Sequence, residues 1–130
     1  MSRQLYSVTY NIEVIPQERT LKKLETSEGK IPFDEWYLSL SDQKTKAIIA
    51  ARLIRIQLGN MGDVRSIGSG VFEFRIHYGP GFRIYFADVQ ETLVILLAGG
   101  DKRTQKKDIK QAIALWETYQ NEIDRYIRDF

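Results

Sequence analysis

The chain has 130 residues, of which 43% are hydrophobic and 28% charged, as is typical of one soluble globular domain with its own core. Its 19 basic and 17 acidic side chains leave a formal charge of +2, so nucleic-acid binding would require a local basic patch. The chain has no cysteine, which excludes a disulfide, a thiolate metal site and a thiol nucleophile, and fits a reducing cytosol.

The N-terminal segment alternates polar and apolar residues, so the sequence does not predict a secretory signal. Residues 5 to 14 are rich in β-branched and aromatic side chains, which indicates a strand, and a second short strand is predicted after Pro16, ending at Gly29. No window approaches the roughly 20 apolar residues of a membrane span. We therefore expect a cytoplasmic protein without a membrane partner.

A helical hairpin is predicted over about residues 32 to 58. Pro32 opens a short first helix, with Asp34 and Glu35 placed favourably for its dipole. Ser41 is the expected N-cap of the second helix, which ends before Gly59. Its apolar residues recur at helical spacing and are Ala47, Ala51, Ile54 and Leu58.

Residues 59 to 70 are rich in glycine and are predicted to form a loop that leads into two paired strands, 71 to 77 and 82 to 89. Alternation places two sets of side chains on opposite faces of these strands. The core set is Phe72, Phe74, Ile76, Ile84 and Phe86, and the other set is Glu73, Arg75, His77, Arg83 and Tyr85.

A loop of five residues, 78 to 82, keeps these two faces separate, whereas a loop of four would place Arg75 opposite Ile84. The five-residue loop pairs His77 with Arg83 and Arg75 with Tyr85. On the core side, Ile76 and Phe74 would then meet Ile84 and Phe86.

Residues 92 to 100 are apolar on both faces, which predicts a central strand covered on both sides. From about Thr104 a long amphipathic helix is predicted. Its apolar residues are Ile109, Ile113, Trp116, Ile123 and Ile127. The fold class is therefore α+β: a helical hairpin, a three-stranded antiparallel meander and a covering helix.

The predicted register gathers Arg75, His77, Arg83 and Tyr85 on the face of the sheet that is not in the core. Two guanidinium groups suit a phosphate, which they can bind bidentately. The alternative is a solvated sheet face, on which Arg75 pairs with Glu73. His77 could be a general acid or base, or a surface residue at the end of a strand; as the chain's single histidine it cannot belong to a two-histidine metal site.

A second basic segment follows the central strand and has a local excess of positive charge. Its basic residues are Lys102, Arg103, Lys106, Lys107 and Lys110, against Asp101 and Asp108. This pattern indicates binding of a nucleic-acid backbone, or else an ordinary solvated helix start. It is not a P-loop, because the glycines of that motif are not adjacent as they are here.

Three blocks of the sequence, residues 32 to 40, 58 to 86 and 94 to 109, resemble toxins of the RelE/ParE superfamily. The resemblance is to the HigB-like branch, often called addiction module killer proteins and including phage Gp-type toxins, and it covers about residues 20 to 118. It implies a single RelE-like toxin domain over residues 1 to 130, in which residues 1 to 19 form an N-terminal extension.

The resemblance also implies an activity, since the best-known members cut mRNA in the ribosomal A site without a metal or another cofactor. The ribose 2′-hydroxyl attacks the adjacent phosphate while basic side chains stabilise the charge. By this likeness the catalytic residues are Arg75, Arg83 and Lys102, and the RNA-binding residues are Arg65, His77, Tyr85, Arg103 and Lys106.

The sequence departs from this pattern at two positions. Some ribonuclease members have a lysine where this chain has Glu73, which could be a general base or could repel RNA. The late tyrosine or histidine of some members is also not evident, because Asp108 or Ile109 lies in that region.

The expected partners are the ribosome, mRNA and a cognate antitoxin, a helix-turn-helix protein encoded nearby. Two alternatives stay open at this stage. The first is a gyrase inhibitor like the ParE branch, and the second is a catalytically degenerate module that only binds its antitoxin.

Overall fold

Six strands hydrogen-bond into one sheet in the computed structural model, which describes residues 18–130. The elements in chain order are β1 (Thr20–Leu24), α1 (Pro32–Ser39), α2 (Gln43–Gln57), β2 (Val64–Gly68), β3 (Val71–Ile76), β4 (Phe82–Val89), β5 (Leu93–Asp101), α3 (Gln105–Tyr119) and β6 (Ile127–Asp129). The strand order across the sheet is β2-β3-β4-β5-β1-β6. β1 runs parallel to β5, and the other neighbours are antiparallel. The predicted α+β class is confirmed.

The predicted short strand after Pro16 is β1, which ends at Leu24, before Gly29. It lies between β5 and β6 and adds a parallel neighbour to the predicted meander. The strand predicted for residues 5 to 14 lies outside the described residues, as does most of the N-terminal extension. Within residues 18–130, each helix is too short or too polar to cross a lipid bilayer.

The sheet has a hydrophobic core on each of its faces. On one face, Phe74, Ile84 and Phe86 pack against Ile49 and Leu53 of the helical hairpin, as the alternation predicted. On the other face, Tyr85 and Val71 pack under Trp116 and Ala112 of α3. The expectation that this second face lies outside the core is wrong. The apolar side of α3 must be buried, and the hairpin already occupies the first face.

The register between β3 and β4 differs from the prediction by two residues. Arg75 pairs with Arg83 and Glu73 with Tyr85, whereas the prediction paired His77 with Arg83 and Arg75 with Tyr85. The core-side pairs shift in the same way, so that Phe74 lies opposite Ile84. A shift of two residues leaves every side chain on its face, so alternation alone cannot detect it.

The connection between these strands still has five residues, but they are 77 to 81 and not 78 to 82. Gly79 and Gly81 both adopt positive φ angles, of 56° and 81°. The Gly81 N–H donates to the Tyr78 carbonyl oxygen at 3.0 Å, which tightens the turn. Glycine is favoured at such positions because it has no Cβ atom.

Four smaller predictions were also wrong. The residues predicted to form the apolar face of α2 (Ala47, Ala51, Ile54 and Leu58) are exposed, and the helix buries Ile49, Leu53 and Ile56 instead. Asp42 and not Ser41 caps α2, since its side chain accepts a hydrogen bond from the Lys44 N–H. The glycine-rich stretch 59 to 70 is not all loop, because β2 pairs with the otherwise free edge of β3. The C-terminal helix ends at Tyr119, and Ile127 lies in β6, which pairs with β1.

β5 is covered on both faces, as predicted, and Val94 to Ala98 are all buried. The two glycines that follow allow helices to approach from opposite sides. A Cβ atom at Gly99 would lie 2.1 Å from Cε3 of Trp36 in α1. At Gly100 it would lie 1.9 Å from Oδ2 of Asp108 in α3. Both contacts require glycine.

We expect Gly99→Ala to lower the free energy of unfolding by about 1–3 kcal/mol, because the added methyl group overlaps the indole ring of Trp36. The cost should be smaller when Trp36→Leu is already present, since that substitution removes the overlapping ring. Urea unfolding of the two single variants and the double variant measures this coupling. Equal costs in both backgrounds would show that the contact does not limit packing.

Candidate functional site

The carboxylate of Glu73 lies at the centre of a buried charge cluster. Its Oε1 accepts hydrogen bonds from Arg65 Nε at 2.9 Å and Arg75 Nε at 3.1 Å. Its Oε2 accepts one from Gln105 Nε2 at 2.8 Å and lies 3.6 Å from Arg83 Nε. The Glu73 side chain is completely buried. Residues from β2, β3, β4 and α3 therefore meet at one anion.

The pKa of Glu73 results from two opposing effects. Burial raises it, but the hydrogen bonds from Arg65, Gln105 and Arg75 outweigh burial, and the pKa lies below the ordinary value of 4.5. A carboxylate that is this acidic and already accepts three hydrogen bonds is a poor proton acceptor. Its charge is also compensated by arginines. The geometry therefore favours neither a general base nor a group that repels RNA.

Tyr85 lies opposite Glu73 in the sheet and is also completely buried. Burial, followed by the charges of Glu73 and Asp108, raises the pKa of Tyr85 above its usual range. The phenol is therefore neutral, and it lies beneath α3 where a bound RNA would not reach it. We expect Tyr85 to pack in the core beside Glu73 and not to contact RNA.

The three residues predicted to be catalytic line a single open depression of about 460 Å³. Arg75 and Arg83 are directly opposite each other on β3 and β4, and Lys102 follows the end of β5. The loop of residues 78 to 81 forms the rest of the wall, together with His77. We call this feature the basic depression.

The two arginines of the basic depression are held in different ways. Arg83 is almost buried, and its Nη1 donates to the Gly81 carbonyl oxygen at 2.9 Å. Arg75 uses Nε to bind Glu73, and its side chain is 32% exposed. Lys102 is exposed, and among residues 18–130 it has neither a hydrogen-bond nor an ion-pair partner. Guanidinium groups that are fixed in this way can bind a phosphate without reorganising.

The other residues predicted to bind RNA do not line the basic depression, apart from His77. Arg65 lies on β2 with half of its side chain exposed, on the outer side of Glu73. Arg103 binds Asp101 through Nη2 at 2.8 Å, and this bond lowers the pKa of Asp101. Lys106 is exposed in the first turn of α3.

Two residues of this region were missed in the sequence. Oδ2 of Asp63 lies 2.6 Å from the ring Nε2 of His77, although the two residues are 14 apart in the chain. Gln105 binds Glu73 from α3. No local pattern marks either residue, because both contacts depend on the pairing of β2 with β3 and on the packing of α3. Within residues 18–130, no three His, Asp or Glu side chains are grouped to hold a metal ion.

Comparison with known proteins identifies related sequences. The model of the family described as "Phage derived protein Gp49-like (DUF891)" matches residues 35–127. An uncharacterized protein of Haemophilus influenzae is 51% identical over 82 residues, which cover 63% of this chain and 83% of that protein. The family is linked to the RelE and HigB toxin group, in agreement with the broad resemblance seen in the sequence and with a RelE-like α+β fold.

The role of Glu73 can be measured through stability. We expect Glu73→Gln to lower the free energy of unfolding by about 1–3 kcal/mol at neutral pH, because the arginines lose their anionic partner. The folded pKa lies below 4.5, so the contribution of Glu73 is present above that value and is lost as the pH falls through the folded pKa. The difference between wild type and variant should therefore shrink on acidification.

Urea unfolding at pH 7 and pH 3 measures this difference. Glu28→Gln is the matched control, because Glu28 is exposed and its replacement should change little at either pH. If Glu73→Gln were as stable as the wild type at pH 7, a central role for the carboxylate would be contradicted.

Proposed function

The chain belongs to the family of phage-derived Gp49-like proteins, and on this basis we propose that it is the toxin of a type II toxin–antitoxin module that cleaves mRNA on the ribosome. The observation that carries this proposal is the convergence of Arg75, Arg83 and Lys102 on one open depression. We further propose that this toxin is of the HigB-like kind. Its target would place it in the cytoplasm.

The positive charges of the basic depression suit a phosphate that gains negative charge as it reacts. The Arg83 side chain is fixed by the Gly81 carbonyl oxygen and lies beside Glu73. It therefore needs little reorganisation when the substrate binds. The terminal nitrogens of Arg75 extend beyond its Nε contact with Glu73. Loss of one such donor typically lowers kcat by about 10²–10³-fold.

In the proposed reaction the ribose 2′-oxygen attacks the adjacent phosphorus and the 5′-oxygen leaves. The products are a 2′,3′-cyclic phosphate and a free 5′-hydroxyl group. Arg75 and Arg83 stabilise the charge on the phosphate oxygens, and Lys102 donates a proton to the leaving oxygen. No step requires a metal or another cofactor.

The flanking RNA would be held by basic side chains around the depression. Arg65, Arg103 and Lys106 are all exposed and are suited to contact the phosphate backbone. The formal charge of the whole chain is only +2, so free RNA would bind weakly. We therefore expect cleavage to depend on the ribosome, which presents the mRNA to the toxin.

The family implies an antitoxin partner in general. We propose that this partner is a small helix-turn-helix protein encoded beside the toxin, and that it prevents access to the basic depression. Acidic side chains of the antitoxin would complement Arg75, Arg83 and Lys102.

A second candidate function is a toxin or binding module that does not cleave RNA. It is favoured by one observation: Glu73, which replaces a lysine of some ribonuclease members, has its oxygens occupied by Arg65, Arg75 and Gln105. Such a protein would inhibit DNA gyrase or would only bind its antitoxin. Growth arrest with intact mRNA would favour inhibition of DNA gyrase.

We expect Arg83→Ala to reduce ribosome-dependent cleavage by about 10²–10³-fold, because the phosphate loses a fixed guanidinium group. Cleavage is measured by primer extension in a reconstituted translation reaction, with and without ribosomes. Arg55→Ala is the matched control, since Arg55 is an exposed arginine on α2, away from the basic depression.

Arg83 is almost buried, so thermal unfolding must first show that the variant is folded at the assay temperature. Arg83→Lys serves as a second variant, because it keeps the charge but not the planar fork. Cleavage by Arg83→Ala at the wild-type rate would reject the proposed role. No cleavage by the wild type, with or without ribosomes, would reject the ribonuclease function.

A further inference from the structure

A histidine and a carboxylate form a pair at the rim of the basic depression. His77 directly follows β3, and Asp63 directly precedes β2. The His77 Nε2 atom lies 2.6 Å from Oδ2 of Asp63. The backbone N–H of Arg75 donates to the Asp63 carbonyl oxygen at 2.9 Å, which holds the main chain of Asp63 beside the end of β3.

The contact with Asp63 determines which nitrogen of His77 carries the hydrogen. An ionised carboxylate can only accept a hydrogen bond, so Nε2 must donate it. In the neutral imidazole, Nδ1 is then the nitrogen with a free lone pair. His77 lines the basic depression and 68% of its side chain is exposed, so a bound substrate can reach it.

Among residues 18–130, the other titratable groups that line the basic depression or lie beside it are poor bases for the proposed reaction. Glu73 is buried, and its oxygens already accept hydrogen bonds. Arg75, Arg83 and Lys102 are cations, and the remaining group, Tyr78, is a phenol. Histidine is the side chain whose charge changes between about pH 5 and 8.

We propose that His77 is the general base of the reaction and that Asp63 is its positioning residue. This inference rests on the proposed ribonuclease function. His77 Nδ1 takes the proton of the 2′-hydroxyl group as the 2′-oxygen forms its bond to phosphorus. The bond from phosphorus to the 5′-oxygen breaks, and that oxygen takes a proton from the Lys102 ammonium group. Proton exchange with water then restores both side chains.

Asp63 contributes through the imidazolium ion that forms during the reaction. Arg75, Arg83 and Lys102 all oppose a positive charge on His77, whereas the carboxylate of Asp63 is in direct contact with the ring. Its negative charge offsets this repulsion and keeps the ring in the reactive tautomer. The arrangement also explains why a basic depression can contain a base.

The test is the pH dependence of single-turnover cleavage with saturating ribosome-bound mRNA. We expect His77→Ala to lower the rate by about 10²–10⁴-fold and to abolish the rise in rate between acidic and neutral pH. Asp63→Asn should lose less activity than His77→Ala. Its cleavage rate should rise at a lower pH than that of the wild type, because the imidazolium is less stable without the carboxylate. Asp63→Glu should restore the wild-type profile in part.

Asp124→Asn is the matched control for the aspartate variants, because Asp124 is exposed near the C-terminus, away from the basic depression. A purely structural role for Asp63 would lower the rate at every pH without moving the profile. That result would overturn its role as a positioning residue.

A substrate with sulfur in place of the bridging 5′-oxygen tests the direction of proton transfer. Sulfur leaves without needing a proton, so this substrate should restore cleavage by Lys102→Ala but not by His77→Ala. Lys44→Ala, an exposed lysine on α2, is the control for the lysine variant. Restored cleavage by His77→Ala would overturn the assignment of His77 as the base.

Failure of this inference can be told apart from failure of the proposed function. If the wild type cleaves and Arg83→Ala does not, while His77→Ala keeps the wild-type rate and profile, only the role of His77 is rejected. If the wild type does not cleave ribosome-bound mRNA at all, the ribonuclease function and the role of His77 are both rejected.

Discussion

The rest of the site depends on the hydrogen bonds that the buried, ionised carboxylate of Glu73 accepts. An isolated carboxylate in a protein interior costs several kcal/mol, and this one is retained because three donors satisfy it. The same contacts orient Arg65 and Arg75, with Arg83 close by. Three guanidinium groups surround one carboxylate, so a net positive charge remains for a ligand.

The position of α3 links this charge cluster to the core. Gly100 allows Asp108 to approach the backbone of β5, and Gln105, one turn earlier on the same helix, reaches Glu73. Gly99 allows Trp36 to approach from the opposite face. Lys102 follows directly after this strand, so the packing of the two helices also places a cation at the basic depression.

The groups at the basic depression differ in how firmly they are held. Arg75 and Arg83 are on neighbouring strands in the middle of the sheet, and Glu73 anchors them. His77 and Asp63 lie just beyond the ends of strands, and at least half of each side chain is exposed. This division suits the proposed chemistry, in which fixed charges bind the phosphate and a more accessible pair at the rim exchanges protons with water.

Local patterns in the sequence determined the types and the order of most elements. Period-two alternation identified β3 and β4, a run of apolar residues facing both sides identified β5, and helical spacing identified α3. The position of α2 was also predicted, but the residues chosen for its apolar face are exposed. The basic residues at the ends of these strands could also be selected from the sequence. Arg75, Arg83 and Lys102 do line one depression, which the ends of adjacent strands make possible.

Tertiary structure alone decided the register, the burial of the second face and the partners of the charged groups. Alternation is unchanged by a shift of two residues, so only the geometry of the turn could pair Arg75 with Arg83. β2 and β6 form because sheet edges offer unpaired backbone groups to segments with weak patterns of their own. The contacts of Glu73 with Gln105 and of His77 with Asp63 join residues far apart in the chain, and no local periodicity encodes such contacts.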